Sequence, residues 1–438
     1  MKINRKSLTA AVKIASKVAK EGGNFPILSC VVLDGAGQKL IATDLEMAVK
    51  IPLEISDYGR TMPAEGIDGV IGEDGIDGLK GPQLKQLAED YGISFPGKAT
   101  VPAMRTVILE ACENASTEES SWNEKFCISA KDLGKILSSL TDEEVEITRT
   151  GDEDGLLFKT GAPRVRIGQN FTGLATFDVD EFPSFDEEVG HDTTINITKK
   201  NLVNVSMAAQ KKDDQGFNLK GIYFDLEDRE NLAAVATDGH RLHWSSLDAE
   251  NIVSPEGLGG FTCPIDAVKM FKALFADEDL IHIQMNSAGH MISVPFGEKG
   301  GMLYIRAMES RFPAWKVVVP SEPEKSLTIL KADMETPLQQ AMTITGEKYS
   351  SIKLKFNGGI DVDFTNPEKG EYQKISIPVK SKNYPDGEEV TFGFNGQFIL
   401  DAMKPIESED LHIMFDTGNK PIVMGFESYH ALVMPMRV

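Results

Sequence analysis

The chain has 438 residues, 41% hydrophobic, 8% aromatic and 26% charged, a globular balance with length enough for two to four domains. Its 67 acidic residues against 45 Lys and Arg leave a formal charge of -22, which argues against nucleic-acid binding by any evenly charged surface, because basic side chains drive phosphate binding. Cys30, Cys112, Cys127 and Cys263 fall at no metal-ligand or redox spacing, and no signal peptide or bilayer-length apolar run stands out, so a reducing cytoplasm is expected.

The charge is not spread evenly. Read as a helix, "RKSLTAAVKIASKVAK" places Lys6, Lys13, Lys17 and Lys20 within about 60° of one another, with Leu8, Ala11, Val12, Ala15, Val18 and Ala19 opposite. A solvated helix face is the plain alternative. A second stretch, "TKKNLVNVSMAAQKK", weakens it by bringing Lys200, Asn204 and Lys211 to one side, with Met207 interrupting.

After each such helix comes an alternating apolar strand, a Gly/Asp/Asn-rich turn and a second strand ending in Thr-Asp or Thr-Asn. The markers are Thr43-Asp44, Thr237-Asp238 and Thr365-Asn366, and Phe182-Pro183 and Phe312-Pro313 close the first two copies. Thr43 and Thr237 lie 194 residues apart but Thr237 and Thr365 only 128, so the first copy carries 66 more. Composition places that insertion at roughly 59–125, between "EGIDGVIGEDGIDG" and "ENASTEESSWNEK". Each copy holds a second helix, in "SAKDLGKILSSL", "PIDAVKMFKALF" and "FNGQFILDAMKPI". The expected fold is α+β, with three repeated domains of two helices packed on antiparallel sheets, at 1–190, 191–322 and 323–438. Inside the insertion, a helix carrying Leu84, Leu87 and Ala88 is expected to pack on one carrying Met104, Val107, Ile108 and Ala111, across an extended loop at Pro96 and Gly97. It resembles helix-extended-loop-helix modules of some DNA-binding and phage proteins. A structural appendage is the equal alternative, with only Lys80, Lys85, Lys98 and Arg105 basic.

Six strings, "ATDLEM", "VATDGHRL", "RFPAWKVVVP", "FTNPE", "FGFNGQFILDAM" and the terminal "LVMPMRV", stand in the order and spacing of one family. In them the chain resembles the bacterial replicative sliding clamps, the beta subunits of DNA polymerase III. The resemblance implies a head-to-tail homodimer whose six similar domains close a ring around duplex DNA, helices lining the hole. It implies no cofactor and no metal. Partners would be double-stranded DNA without sequence preference, a second copy of the chain, and polymerase, clamp-loader and repair proteins docking by short linear motifs, with no membrane. The partner pocket would comprise Leu219, Thr237, Gly239, His240, Arg241, Leu242, Pro313, Val318, Tyr349, Asn395, Phe398, Leu432, Val433, Met434, Pro435, Met436 and Arg437. Toward DNA it would turn Lys6, Lys13, Lys17, Lys20, Lys200, Lys211, Lys269 and Lys272. The dimer contact would set Lys159, Arg164, Arg166 and Ile167 against Thr343, Ile344, Glu368 and Glu371. The chain departs from the family at Asn24, where a cation is usual, and at Gly370 and Lys374, which thin the acidic side of the interface.

Catalysis finds little support. Asp238, His240 and His243 lie close in sequence, but no third ligand, phosphate-cradling loop, His-Glu-x-x-His or nucleophile elbow accompanies them. The rival readings are a β-rich hydrolase and a scaffold that keeps the fold for protein contacts alone.

Overall fold

The computed structural model describes residues 2–20, 25–35, 37–56, 80–90, 100–108, 125–150, 164–167, 173–184, 190–211, 219–228, 230–255, 259–286, 291–309, 311–321, 323–345, 351–366, 371–385 and 387–436. They fall into two compact units, Met1–Phe185 with Gly297–Met302, and Asp186–Phe296 with Leu303–Val438. Fold class is α+β, as the sequence pattern implied.

Among the described residues one order of elements, strand, helix, three strands, recurs six times along the chain, with a further two-residue strand after the first half of each copy, at Ile55–Ser56, Ile252–Val253 and Ser381–Lys382. It is a half-length repeat beneath the three-copy one. The six helices are α1 (Arg5–Ala15), α4 (Ala130–Ser139), α5 (Lys199–Ser206), α6 (Ile265–Leu274), α7 (Lys331–Thr345) and α8 (Gly396–Met403), and they pack as α1 on α4, α5 on α6 and α7 on α8. Inside the insertion, α2 (Gly81–Asp90) and a helical stretch at 101–108, α3, stand between the first two.

Each of the six leaves its preceding strand without a loop, and the residue at the junction explains four of the starts. Asn4, Ser129, Thr198 and Asn395 turn a side-chain oxygen onto a backbone N–H of the first turn, at 3.1, 3.3, 3.2 and 3.0 Å. Such caps satisfy donors that the helix itself leaves open, and each is worth about 1 kcal/mol.

The next residue closes each helix pair. Arg5, Lys199 and Lys331 open α1, α5 and α7, and their backbone N–H groups donate to the carbonyls of Glu143, Asp279 and Glu409 at 2.8, 3.0 and 2.8 Å. Their side chains donate to the carbonyls of Asp142, Phe275 and Ile406, at 2.7, 2.9 and 2.5 Å. A base at this one position therefore ties the start of each first helix to the segment that follows the second.

The first helices of the first two copies end sooner than the sequence pattern suggests, at Ala15 and Ser206 rather than near 20 and 211. In both, a serine hydroxyl bonds back to the preceding turn, Ser16 to Val12 O and Ser206 to Val203 O, each at 2.7 Å, drawing a carbonyl away from the helical ladder. The chain continues in tighter bonds of i to i−3 type, from Val18 to Ala15 and from Ala208 to Val205.

In the first unit a nine-stranded antiparallel run links the strands Met47–Pro52, Lys39–Thr43, Cys30–Asp34, Lys125–Ser129, Gly173–Phe177, Arg164–Ile167, Glu144–Thr150, Lys2–Asn4 and Ile55–Ser56, in that order. The insertion leaves it after Ser56 and returns at Lys125. Leu84, Met104 and Ile108 are buried and Gly81 lies close to Val101, which sets the start of α2 beside α3. The side chains of Leu87 and Ala88, and Pro96, Gly97, Lys98 and Ala111, lie outside the described residues.

In the second unit a nine-stranded sheet carries the order Gly260–Pro264, Gly221–Asp225, Ala233–Thr237, Arg241–Ser246, Tyr429–Val433, Ile422–Phe426, Asp410–Phe415, Lys325–Leu330 and Ser381–Lys382. The C-terminal strand is thus interior. Beside it lie a four-stranded sheet built from Glu371–Ile377, Ile360–Asn366, Ser351–Phe356 and Val390–Asn395, and a core of Phe356, Phe392, Phe394 and Phe415.

The Thr-Asp markers are one hydrogen-bonded turn built twice. Thr43 Oγ1 donates to Met47 O at 2.8 Å and accepts from Leu45 N–H, while Asp44 Oδ1 accepts from Glu46 and Met47 N–H. Thr237 and Asp238 repeat every bond toward Gly239, His240 and Arg241. The tip needs a positive φ in both, +77° at Leu45 and +86° at Gly239. A leucine there is strained where a glycine is not. Leu45→Gly should raise stability by about 0.5–1 kcal/mol and Gly239→Leu should lower it by about 1 kcal/mol, read as opposite shifts of the urea unfolding midpoint.

Candidate functional site

The pocket residues foreseen in the sequence all belong to the second unit. The strand Arg241–Ser246 pairs antiparallel with Tyr429–Val433 in the register Arg241 to Val433 and Leu242 to Leu432. Past this strand the tail remains tied, Met434 N–H to His240 O at 2.9 Å and Met436 N–H to Gly393 O at 2.8 Å. The Thr-Asp turn, the tail and the strand leading into α8 are thereby joined by backbone bonds.

Below them lies one apolar cluster. Leu219, Leu242 and Leu432 are buried with Val235, Phe312, Trp315 and Val423, and Met434 packs on it from the surface. Val318 and Met436 are exposed, and Pro313, Phe398, Met434 and Pro435 are half-buried. Thr237 and Val433 are buried, Gly239 and His240 exposed, and Asn395 caps α8. The structure brings fifteen of the seventeen into this one region, and Tyr349 and Arg437 lie outside the described residues.

Arg241 is a buried cation of this region. Its side chain is only 3% exposed. Nη1 donates to Asp401 Oδ2 at 2.5 Å, Nε to Asp238 Oδ2 at 3.1 Å, and the guanidinium lies 4.4 Å from the centre of the Phe398 ring. The His240 ring stacks near Phe398 from the turn above, 6.4 Å between centres.

His243 is a second buried polar residue of the same strand. Nδ1 faces Tyr429 Oη at 3.1 Å and Asn204 O at 3.4 Å, while Nε2 has no partner among the described residues. Burial, with the nearby Arg241 charge, pushes its pKa down to about 3. It is neutral and enclosed, which removes it from any acid/base pair with His240. The described residues contain no cluster of three His, Cys, Asp or Glu fit for a metal.

Sequence reasoning did not find a cavity of about 530 Å³ that shares Pro313 with the foreseen pocket. Its walls include the Tyr223–Phe312 stack, 4.8 Å between ring centres, and Asp225, which accepts from Trp315 Nε1 at 2.8 Å and pairs with Lys316. Burial, with Asp225 and Glu227 nearby, raises the Tyr223 hydroxyl to about 12. Only the aromatic spacing of "RFPAW" hinted at it.

The lysines divide into free and paired ones. Lys6, Lys13 and Lys17 are exposed on α1 and its extension, opposite buried Leu8, Ala11, Val12 and Ala15. Lys20 pairs with Asp44 at 2.8 Å, Lys200 with Glu407 at 2.5 Å and Lys269 with Asp266 at 2.6 Å, so each is a tie as well as a cation. Lys211 and Lys272 are exposed. On α7 the exposed positions include Ala332, Thr336, Gln339 and Gln340, with no basic residue among them.

The foreseen dimer contact is only partly visible. Arg164, Arg166 and Ile167 stand on a strand already paired on both sides, and Ile167 is fully buried, so that strand offers no free backbone edge. Glu371 opens an outer strand of the four-stranded sheet, paired on one side alone among the described residues, and Thr343 and Ile344 lie in the last turn of α7. Lys159 and Glu368, with Asn24 and Gly370, lie outside the described residues, as do the side chains of Arg164, Arg166, Thr343, Ile344 and Glu371.

Residues 316–437 match the protein family described as DNA polymerase III beta subunit, C-terminal domain. The beta sliding clamp of Pseudomonas putida is 24% identical over 445 residues, spanning 100% of this chain and 99% of its own. Residues 316–437 thus match the C-terminal domain of that family, and over its whole length the chain is similar to beta sliding clamps. Its fold is that of solved sliding clamps. The Bacillus subtilis clamp compares with a TM-score of 0.71 at 17% identity, over 100% of this chain and 98% of that one. The Pseudomonas aeruginosa clamp solved with griselimycin gives 0.69 at 20%, over 100% and 99%.

Within this clamp fold, His243 sets a pH dependence. Unfolded histidine titrates near 6.5 but the folded one near 3, so between those values the unfolded state binds the extra proton. Stability is therefore lost as pH falls below about 6.5, by roughly 1.4 kcal/mol per unit, with no further loss below about 3. His243→Gln should flatten the urea midpoint between pH 7 and 5 relative to the parent; equal slopes in both would contradict the assignment.

Proposed function

We propose that the chain is a sliding clamp: two copies join head to tail into a ring around duplex DNA and tether a polymerase and other partners by short apolar motifs. The observation that carries this reading is the exposed Lys6–Lys13–Lys17 face on a chain of formal charge -22. A ring holds its substrate by enclosure, so its lining needs diffuse positive potential and gains nothing from tight phosphate contacts, which would slow sliding. Acidic residues elsewhere discourage DNA from the other surfaces.

In this reading each chain contributes three domains, about 1–190, 191–322 and 323–438, and acts in the cytoplasm of a bacterial cell without catalysing a reaction. Ring closure uses the outer strand Glu371–Ile377, whose Tyr372 is 81% exposed, against a basic face of the first domain. The pocket formed by the Thr-Asp turn and the tail takes the partner motif. Leucine or aromatic anchors supply the binding energy, and Met434 and Met436 adapt to different partners.

The test is topological. A native mass of two chains is expected, with retention on nicked circular DNA and release within seconds of linearisation. Retention on linear DNA without blocked ends would sink the ring and leave an ordinary DNA binder. Replacing Lys6, Lys13 and Lys17 together by Gln should lower retention on the circle at 150 mM salt and leave the dimer mass unchanged.

A further inference from the structure

We infer that Asp401 is the positioning residue of the partner pocket, holding Arg241 as an internal support for Phe398 and so keeping it from any partner's carboxylate. The inference deepens the pocket reading proposed above and rests on it.

Asp401 is fully engaged. Oδ2 accepts from Arg241 Nη1 at 2.5 Å and Oδ1 from Gln397 Nε2 at 2.8 Å, one turn earlier on α8. Arg241 answers with a second bond to Asp238 at 3.1 Å, and its guanidinium plane supports the Phe398 ring. Two carboxylates already face this one buried guanidinium. A third, from a partner, would compete with two carboxylates already in place for a guanidinium that is itself only 3% exposed. The arginine in "TDGHRL" is therefore a brace. What it braces is the aromatic shelf of Phe398 and His240, and the pocket accordingly reads apolar shape and not negative charge.

The test uses the intact protein and three fluorescein-labelled hexapeptides, Ser-Gln-Leu-Ser-Leu-Phe, the same with its last residue Ala, and Ser-Asp-Leu-Ser-Leu-Phe. Asp401→Asn keeps the side-chain shape and removes the charge. It should weaken the Phe-ended peptide roughly tenfold and the Ala-ended one less than twofold, because only the former uses the shelf. General loosening of the pocket would weaken both alike and overturns the proposal. Phe398→Leu, which leaves every charge in place, should show the same selective loss. The parent should bind the Asp-bearing peptide within twofold of the Gln-bearing one, and tenfold tighter binding of the acidic peptide overturns the claim that Arg241 is occupied. Failure of the parent to bind any of the three defeats the pocket reading itself, an outcome distinct from a parent that binds while Asp401→Asn matches it.

Discussion

A single base at the start of each copy's first helix decides how the rest is arranged. Arg5, Lys199 and Lys331 donate both backbone and side chain to the segment after the second helix of the pair. The first N–H of a helix has no partner inside the helix. Here it finds one in the segment between the second helix and the strand that follows, and the side chain of the same residue adds another bond there. It also sets the two helices of a pair in register, so the face that each turns outward is fixed along with the face that it buries.

That fixing gives the charge its meaning. A chain of -22 has no attraction for DNA on average, and its basic side chains act only when gathered on a face from which carboxylates are excluded. On α1 and its extension Lys6, Lys13 and Lys17 are exposed, with no carboxylate partner among the described residues. On α5 such a face is compromised by the Glu407 partner of Lys200, and the exposed positions of α7 described above carry glutamine, alanine and threonine. Positive potential is therefore concentrated in the first two copies. Exposed pairs such as Lys269 with Asp266 contribute little to stability and screen the helix charge they might have added.

Much of this was legible in the sequence because it is local. Alternation of period two marks the strands, and helical spacing of Leu8, Ala11, Val12 and Ala15 marks α1. The Thr-Asp markers were visible because the turn they build takes both side chains to close, each bonding the backbone within four residues. The early ends of α1 and α5 were not legible, since a serine that caps and one that merely faces solvent read alike. The half-length repeat stayed hidden because its second halves open on unlike residues, Ser129, Pro264 and Asn395, only two of which make the same cap bond. The occupancy of Arg241 could not be read at all. Its deciding partner lies 160 residues away, and a sequence offers an arginine in a turn as readily to a ligand as to its own fold.

The two Thr-Asp turns show how the same scaffold is turned to different ends. Their hydrogen bonds are alike atom for atom, yet Leu45 keeps a side chain at the tip where Gly239 has none. Beside the bare tip, His240 is exposed and its carbonyl is free to accept the tail at Met434. Four residues on from Thr237 stands Arg241, and four on from Thr43 stands Met47, which is buried. One position thus takes an apolar residue for the core in one copy and a buried cation in the other. Burying that cation costs several kcal/mol unless its partners are placed in advance. Asp238 from the turn and Asp401 from α8 are so placed, and they can be only while the turn, the tail and α8 are held in contact. The polar contacts of the pocket are therefore a consequence of its assembly, and its opening is left to leucine, valine, methionine and phenylalanine, the residue types that bind by shape.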